Sequence, residues 1–177
     1  AVTRGSGEVG EVVTNNAKVF KNIPLRIQYQ GELILRGEAI ITYSDFEKIN
    51  EEIEDVDAKY KNPRNLCSGS VRQLNKEIPE ADAKYKNPRN LCSGSVRQLN
   101  NEITAKRNVR FYAFSLVKAE GVDFSNSREE QFRFLKQQGF DVVEYVRVSA
   151  DTIMAAIEGY EKKIVDYDIP SDGLVLL

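Results

Sequence analysis

The sequence predicts a fold that contains both helices and strands, and three observations support this. Apolar and polar residues alternate around Tyr29 in the pattern of a half-buried strand, and an apolar run at Val109–Val117 is typical of a buried strand. Two Ser-x-x-Glu capping boxes, at Ser44 and Ser127, mark helix starts. With 177 residues, 41% hydrophobic and 29% charged, the chain is the size of one soluble domain, or of one domain and a small appendage.

Composition excludes several kinds of chemistry. The chain has no histidine, so Ser-His-Asp, Cys-His and His-metal sites are excluded, and carboxylate, lysine, arginine or metal-phosphate mechanisms remain. The net charge of −2 gives no global signal for nucleic acid, so any DNA contact must come from local arginine clusters.

No apolar run reaches the roughly 18–20 residues of a membrane span. We therefore expect a protein without a membrane segment or signal peptide.

A 19-residue stretch is written twice. Residues 57–75 and 82–100 both read DAKYKNPRNLCSGSVRQLN, 25 positions apart, which indicates a tandem duplication, natural or engineered. Two copies do not make a solenoid, which needs about three or more repeats. Cys67 and Cys92 occupy the same position in the two copies, so they are not a disulfide framework, and a cytoplasmic location is expected.

Near the amino terminus, residues 5–10 match Gly-x-Gly-x-x-Gly, a dinucleotide-binding fingerprint. Only four residues precede the match, and the carboxylates of Glu8 and Glu11 would repel a pyrophosphate. We therefore interpret the glycines as a tight turn before a short helix over about Glu11–Val19.

The next segment predicts a β-hairpin. Leu25, Ile27 and Tyr29 alternate with polar residues, Gln30-Gly31 turns the chain, and the second strand runs on to about residue 41. Gly37 inside that strand indicates a bulge or a close backbone approach. Glu38, directly after it, is therefore a candidate functional carboxylate.

The remaining elements follow from caps and breakers. The box at Ser44 and Glu47 predicts a helix to about Glu54, and in each repeat Asn65 or Asn90 could cap a short helix. The later elements are expected in this order: a strand at Val109–Val117, a helix from Ser127 to Gly139, a strand at Phe140–Val148, a helix at about Ala150–Val165, and a core strand at Leu174–Leu177 after the turn at residues 170–173. Both chain ends are expected to be cut through strands.

Five separated pieces of the sequence resemble one family. They are Val2–Glu11, Leu35-Arg36-Gly37-Glu38, Asn-Pro-Arg-Asn with Gly-Ser-Val-Arg-Gln-Leu, Phe111-Tyr112-Ala113-Phe114, and Ser171-Asp172-Gly173-Leu174-Val175. In this order they resemble the adenylation domain of bacterial NAD-dependent DNA ligases.

The resemblance implies a fold and an activity. The fold is α+β, a nucleotidyltransferase (ATP-grasp-like) core of antiparallel sheets flanked by helices, and residues 1–177 would be a partial adenylation domain truncated at both ends. In the family, a lysine takes AMP from NAD with Mg²⁺ present, AMP passes to the 5′-phosphate at a DNA nick, and the 3′-hydroxyl displaces it. The parent enzyme's partner is thus nicked double-stranded DNA.

The resemblance also implies site residues. Glu38 matches the glutamate that meets the ribose hydroxyls, and Phe114 matches the aromatic ring that stacks on adenine. Asp172 matches an acidic residue near the phosphate and a possible metal. The family's arginines around the nucleotide and the nicked strand, whose guanidinium groups suit phosphate oxygens, match Arg4, Arg64 and Arg89 at the nucleotide and Arg72 and Arg97 at the DNA phosphates.

Two departures from the family pattern matter. No Lys-x-Asp-Gly occurs in the chain, so the nucleophilic lysine is absent, no catalytic residue is assigned, and we expect the chain not to adenylate itself.

The alternative is a non-catalytic nucleotide-binding or structural fragment. An RNA ligase or capping enzyme is disfavoured by the Asn-Pro-Arg-Asn element. The family has the repeated element once, so we expect one copy to dock near the nucleotide cleft and the other to be extruded.

Overall fold

The computed structural model describes residues 1–51, 101–171 and 173–177. The two repeat copies and Asp172 lie outside these ranges, and so do the helices expected after Asn65 and Asn90 and the docking of one copy. The elements in chain order are α1 (Thr14–Ala17), β1 (Leu33–Ile40), α2 (Tyr43–Glu51), α3 (Asn101–Lys106), β2 (Arg110–Ala119), α4 (Arg128–Gln137) and α5 (Ile153–Ile164).

The amino-terminal segment doubles back on itself through the glycine turn. Val2 and Val12 form an antiparallel bridge, and the Gly7 amide donates to the Arg4 carbonyl at 3.0 Å. The φ angle of Gly7 is +103°, in the region that favours glycine. The helix expected over residues 11–19 is only the four residues of α1, because the backbone before it already bonds to residues 1–3.

β1 and β2 form an antiparallel two-stranded sheet. The pairing extends along the whole of both strands, from Leu33 opposite Ala119 to Ile40 opposite Arg110. The strand expected at Val109–Val117 is therefore confirmed, within two residues at its end.

The predicted hairpin is wrong in its first strand and in its pairing, whereas its second strand is confirmed as β1. Residues 25–29 form no strand, and β1 pairs with β2 instead. The segment contacts the end of α4: the Tyr29 amide donates to Gln138 Oε1 at 2.9 Å, and the Tyr29 ring meets Phe134 edge-on at 5.3 Å between centroids. The alternating apolar residues therefore do not share one buried face, since Leu25 is 73% exposed.

α2 begins two residues before the predicted position and has a different cap. Thr42 Oγ1 accepts from the Asp45 amide at 3.2 Å and donates to Asp45 Oδ2 at 3.1 Å, so the predicted box at Ser44 and Glu47 is wrong by two residues. The part of this helix expected beyond Glu51 lies outside the described residues.

α3 is tied to α1 through the interior. The hydroxyl of Thr104 donates to Asn16 Oδ1 at 3.2 Å, and both residues are buried. A buried pair of polar groups is stable only when each finds a partner, so this contact fixes how α3 lies against α1.

α4 confirms its predicted cap. Ser127 Oγ accepts from the Glu130 amide at 3.3 Å, and the helix stops before Gly139, whose φ of +88° is the left-handed conformation of a helix C-terminus. The strand expected at Phe140–Val148 is reduced to one parallel bridge, between Val142 and Ala113, because the chain then leaves β2 for α5.

The carboxyl-terminal part is more exposed than the sequence indicated. The helix expected at 150–165 is confirmed as α5, yet none of its residues is buried, and Ile157 and Ile164 are each 41% exposed. The expected core strand at Leu174–Leu177 is wrong: these residues are 52–85% exposed, and the described residues offer them no ladder partner.

Two apolar clusters flank the sheet. The residues of the first lie where α1, the end of β1 and the start of β2 meet: Ala17, Phe20, Ile41 and Val109. Those of the second lie between β2, α4 and the bridge: Ala113, Leu116, Phe132, Leu135 and Val142. Phe111 packs against both clusters.

In the coarse sense the architecture is α+β, with helices around an antiparallel pair of strands. Among residues 1–51, 101–171 and 173–177, no helix has the length and apolar character that crossing a bilayer requires.

Candidate functional site

The outward face of β1 carries the first candidate residue. Exposure alternates along the strand, so that Ile34, Arg36 and Glu38 are exposed while the residues between them are half-buried. Glu38 lies opposite Tyr112 of β2, and directly opposed residues project from the same face of an antiparallel sheet. The carboxylate of Glu38 therefore stands on the outer face beside the Tyr112 ring.

A β-bulge positions the second candidate, Phe114. Gly37 pairs with Ala113 and Arg36 with Ser115, so Phe114 is the extra residue of β2 at the register shift. Ala113 is fully buried while Phe114 is 44% exposed, which places the ring on the side of Tyr112. Bulges re-aim side chains next to functional sites, and here the bulge turns an aromatic ring toward solvent.

Gly37 allows this packing, and the predicted close backbone approach at this glycine is confirmed, while the bulge beside it has its extra residue, Phe114, in β2. A Cβ at Gly37 would lie 2.3 Å from Phe111 Cζ and 2.4 Å from the Tyr112 carbonyl oxygen. Only a residue without a side chain lets the Phe111 ring cover this point of β1. The inner face of the sheet is thus closed by Phe111 while the outer face stays open.

The hydroxyl of Tyr112 is held in its neutral form. Burial raises its pKa above the usual value, and the carboxylate of Asp141 raises it further. Asp141 is fixed in turn, because Asn22 Nδ2 donates to it at 2.8 Å and to the Phe111 carbonyl at 2.7 Å. Tyr112 can therefore serve as a neutral hydrogen-bond donor beside Glu38.

An ionic cluster joins the segment after the bridge to α5. Lys163 Nζ donates to both carboxylate oxygens of Glu144, at 2.6 and 2.7 Å, and the Tyr167 hydroxyl donates to the same carboxylate at 3.3 Å. The hydrogen bond from Lys163 lowers the pKa of Glu144, and the same bond raises the pKa of Lys163. The polar groups of Lys163, Glu144 and Tyr167 are thus hydrogen-bonded to one another. This cluster is a tether that holds α5 to the segment after the bridge.

Of the predicted site residues, the structure brings Glu38 and Phe114 to one face. Arg4 belongs to a different element, the glycine turn, where it is exposed. The other predicted residues lie outside the described ranges: Arg64, Arg72, Arg89, Arg97 and Asp172. In the described ranges, no group of three or more His, Cys, Asp or Glu could hold a metal ion.

Sequence reasoning missed Tyr112 as a site residue. Its partner Glu38 is 74 positions earlier, so the contact follows only from the strand pairing. The available signal was the spacing of Tyr112 and Phe114 along one strand, which places two aromatic rings on the same face.

The chain matches one known protein family along its whole length. The family model of the NAD-dependent DNA ligase adenylation domain matches residues 1–84 and 74–177. Each matched range contains one complete copy of the repeat, at 57–75 and at 82–100.

Curated relatives agree with the family match. The chain is 56% identical to the DNA ligase of Lachnoclostridium phytofermentans and 53% identical to that of Ruminiclostridium cellulolyticum, in each case over 176 residues, or 99% of this chain. It is 33% identical to the DNA ligase of Brachyspira hyodysenteriae over 178 residues, also 99% of this chain. In all three cases the chain spans only 23% of the relative's length.

Proposed function

Because this chain belongs to the family of NAD-dependent DNA ligase adenylation domains, we propose that it is a portion of the adenylation domain of a DNA ligase. The proposed parent enzyme uses NAD as adenylate donor and seals nicks in double-stranded DNA through enzyme-AMP and DNA-AMP intermediates. In this proposal residues 1–177 form one partial domain, and the two repeat copies are duplicates of one turn-helix element within it.

The observation that carries the proposal is the pairing of a carboxylate and an aromatic ring on one open face. Phe114 offers a flat, partly exposed ring on which adenine can stack, and stacking of this kind accepts any flat partner. Glu38, opposite Tyr112, offers carboxylate oxygens that accept hydrogen bonds from ribose hydroxyls. The described residues therefore fit an adenosine group.

The residues that contact phosphate are assigned from their positions in the family's motifs. We propose that Arg4 and Arg64 or Arg89 contact the nucleotide, and that Arg72 or Arg97 contacts phosphates of the nicked strand, since guanidinium groups donate in pairs to phosphate oxygens. Asp172 would lie near the phosphate and Mg²⁺. The assignment of Mg²⁺ to Asp172 follows from its motif position, and the described ranges themselves contain no group of three or more such ligands.

We propose further that this chain binds the adenine nucleotide without becoming adenylated. Lys-x-Asp-Gly is missing from the sequence, and the nearest pattern, Lys118-Ala119-Glu120-Gly121, has glutamate in place of the aspartate. The ammonium group of Lys118 forms an ion pair with the carboxylate of Glu32. A lysine engaged in an ion pair is a poor nucleophile.

Intact-mass measurement before and after incubation with NAD and Mg²⁺ tests the chemistry. We expect no change in mass. A gain of one AMP would overturn the proposal of an inactive fragment, and repeating the measurement on Lys118→Arg would then tell whether Lys118 is the nucleophile.

Titration with AMP tests the binding. Saturable AMP binding that is weakened in Glu38→Gln supports the proposed site. If AMP does not bind, the alternative of a purely structural fragment is the better description of this chain.

A further inference from the structure

The hydroxyl of Tyr112 is a polar group for which the described part of the fold supplies no acceptor. The side chain is half-buried, and within residues 1–51, 101–171 and 173–177 its hydroxyl makes no hydrogen bond. Asp141, whose charge acts on Tyr112, accepts instead from Asn22 Nδ2 at 2.8 Å. Most buried polar groups in folded proteins have a partner. A half-buried donor that the fold leaves unused is available to a ligand.

The backbone on both sides of Tyr112 is held in place. The side chain of Asn22 pairs with Phe111 as a neighbouring strand would: Oδ1 accepts from the Phe111 amide, and Nδ2 donates to the Phe111 carbonyl, each at 2.7 Å. On the other side, the Ala113 amide donates to the Asp141 carbonyl at 2.9 Å. Tyr112 is therefore preorganised, and binding a ligand needs little rearrangement of its backbone.

Tyr112 and Glu38 present a donor and an acceptor side by side. An unperturbed tyrosine has a pKa of about 10, and burial raises the pKa of Tyr112 further, so its hydroxyl donates at neutral pH. The ionised carboxylate of Glu38 can only accept. The two residues are directly opposed in the antiparallel pair, where Cβ atoms lie about 4.5–5.5 Å apart. Both side chains can therefore reach one small group above the outer face.

A hydroxyl group is complementary to such a pair. It donates one hydrogen bond through its proton and accepts others through its oxygen. Phe114 lies two residues from Tyr112 along β2, and two residues of a strand span about 7 Å. One nucleoside can therefore cover both positions, with its base on Phe114 and its ribose above Glu38 and Tyr112.

Building on the proposed function, we propose that Tyr112 is a specificity-determining residue for the ribose: its hydroxyl donates to the oxygen of a ribose hydroxyl whose proton Glu38 accepts. Together the two side chains recognise that hydroxyl both as a donor and as an acceptor. A sugar without it would leave both polar side chains without this partner, which weakens binding strongly. The outer face is thus selective for ribonucleotides over the corresponding deoxyribonucleotides.

Isothermal titration of AMP into Tyr112→Phe tests the proposal, because this change removes the hydroxyl and keeps the ring. We expect AMP to bind about fivefold more weakly, the effect of losing one neutral hydrogen bond. Tyr29→Phe is the matched control. It also removes a tyrosine hydroxyl, one that donates to the Glu120 carbonyl beyond the end of β2, and it should leave AMP affinity unchanged.

Deoxy analogues of AMP identify the acceptor. Of 2′-deoxy-AMP and 3′-deoxy-AMP, the analogue that lacks the contacted hydroxyl should bind the unmodified chain at least about tenfold more weakly than AMP. For that analogue Tyr112→Phe should cause no further loss, since the bond that it removes is already missing. For the other analogue, Tyr112→Phe should cause the same loss as for AMP.

The possible results separate this inference from the proposed function. Unchanged AMP affinity in Tyr112→Phe, or an equal loss for AMP and both deoxy analogues, would overturn the inference and leave the proposed function standing. If the unmodified chain does not bind AMP, the proposed function is wrong and the inference fails with it.

Denaturant unfolding of Tyr112→Phe distinguishes a ligand contact from a structural role. Because the hydroxyl bonds nothing in the described part of the free chain, the variant should unfold at the same denaturant concentration as the unmodified chain. A clearly lower midpoint would mean that the hydroxyl serves the fold, and it would overturn the inference.

Discussion

At the scale of single residues, Phe114 faces solvent because β2 contains one residue more than β1 at the bulge. We expect Phe114→Ala to weaken AMP binding by about tenfold, since stacking of a base on an aromatic ring contributes roughly 1–3 kcal/mol. Isothermal titration with AMP measures this.

Val117→Ala is the matched control for Phe114→Ala, because Val117 is 50% exposed on the same strand. It should leave AMP affinity unchanged, and Phe114→Tyr should retain most of the binding. Equal affinities in Phe114→Ala and Val117→Ala would rule out stacking on this ring.

Gly37 is a second residue whose identity is dictated by its surroundings. Gly37→Ala should destabilise the protein by about 1–3 kcal/mol, because the new methyl group meets the Phe111 ring and the Tyr112 carbonyl below 2.5 Å. Denaturant unfolding followed by circular dichroism measures the change.

Gly159 in α5 provides the comparison, since a Cβ there meets nothing within 4 Å. Gly159→Ala should be neutral or stabilising by about 0.5–1 kcal/mol, the usual effect of removing glycine from a helix. If both glycine variants lose the same stability, close packing is not what requires Gly37.

The sequence indicated Glu38, the strand of Phe114 and the special role of Gly37, because strong local motifs surround them. It did not indicate Tyr112, since its pairing partner Glu38 is 74 positions earlier in the chain. Contacts of this kind follow from tertiary packing, which a local pattern does not contain.

At the scale of elements, the same distinction separates correct from incorrect predictions. β2 and α4 were predicted because a continuous apolar run and a Ser-x-x-Glu box are local signals. The strands expected at 25–29 and at 140–148 were wrong, because Tyr29 contacts the end of α4 instead of a strand and only Val142 forms a bridge to β2. Two of the expected elements thus failed for one reason: strand formation depends on a neighbour.

The cap of α2 supplies a prediction at this scale. Thr42→Val keeps the volume of the buried side chain but removes the hydroxyl that bonds Asp45. We expect a loss of about 1–2 kcal/mol in the free energy of unfolding, measured with denaturant.

Ser127→Ala provides the reference for Thr42→Val, because the Ser127 cap is partly exposed and makes one bond at 3.3 Å. It should cost about 1 kcal/mol or less. A smaller loss in Thr42→Val than in Ser127→Ala would mean that Thr42 is not the effective cap of α2.

The tether of α5 responds to pH. In Lys163→Met the pKa of Glu144 should rise toward its ordinary value of about 4.3, because the hydrogen bond that lowers it is lost. NMR titration of the Glu144 side chain measures this, and Lys162→Met is the control that should leave it unchanged.

The sign of the stability effect follows from the lowered pKa of Glu144. The contribution of the Glu144–Lys163 pair to the free energy of unfolding is complete above the unfolded pKa of about 4.3. It disappears as pH falls through the pKa of Glu144 in the folded protein. Both partners are exposed, so the contribution is small, and Lys163→Met should match the unmodified chain in stability at the acidic end. A difference that persists there would point to lost packing by the lysine stem.

At the scale of the whole molecule, the duplication can be removed in a controlled way. Deleting residues 57–81 and deleting residues 76–100 give the same sequence, because the copies are identical and 25 positions apart. The shortened chain should keep the fold of the described residues, since each doubling of a loop costs only about 0.6 kcal/mol.

Overlaid amide NMR spectra check this expectation. Resonances of β1, β2 and α4 should coincide between the shortened chain and the unmodified chain, with changes confined to residues next to the deletion. Widespread shifts in β2 would mean that both copies are needed for the fold.

The pairing of β1 with β2 has a kinetic consequence. Ile40 meets Arg110 only after the whole stretch between them, both copies included, has been brought together. Sheets that join distant parts of a chain form slowly, and the 25 additional residues lower the chance of encounter by roughly twofold on loop-closure arithmetic. Stopped-flow refolding should therefore show the shortened chain folding about twice as fast, with little change in its unfolding rate.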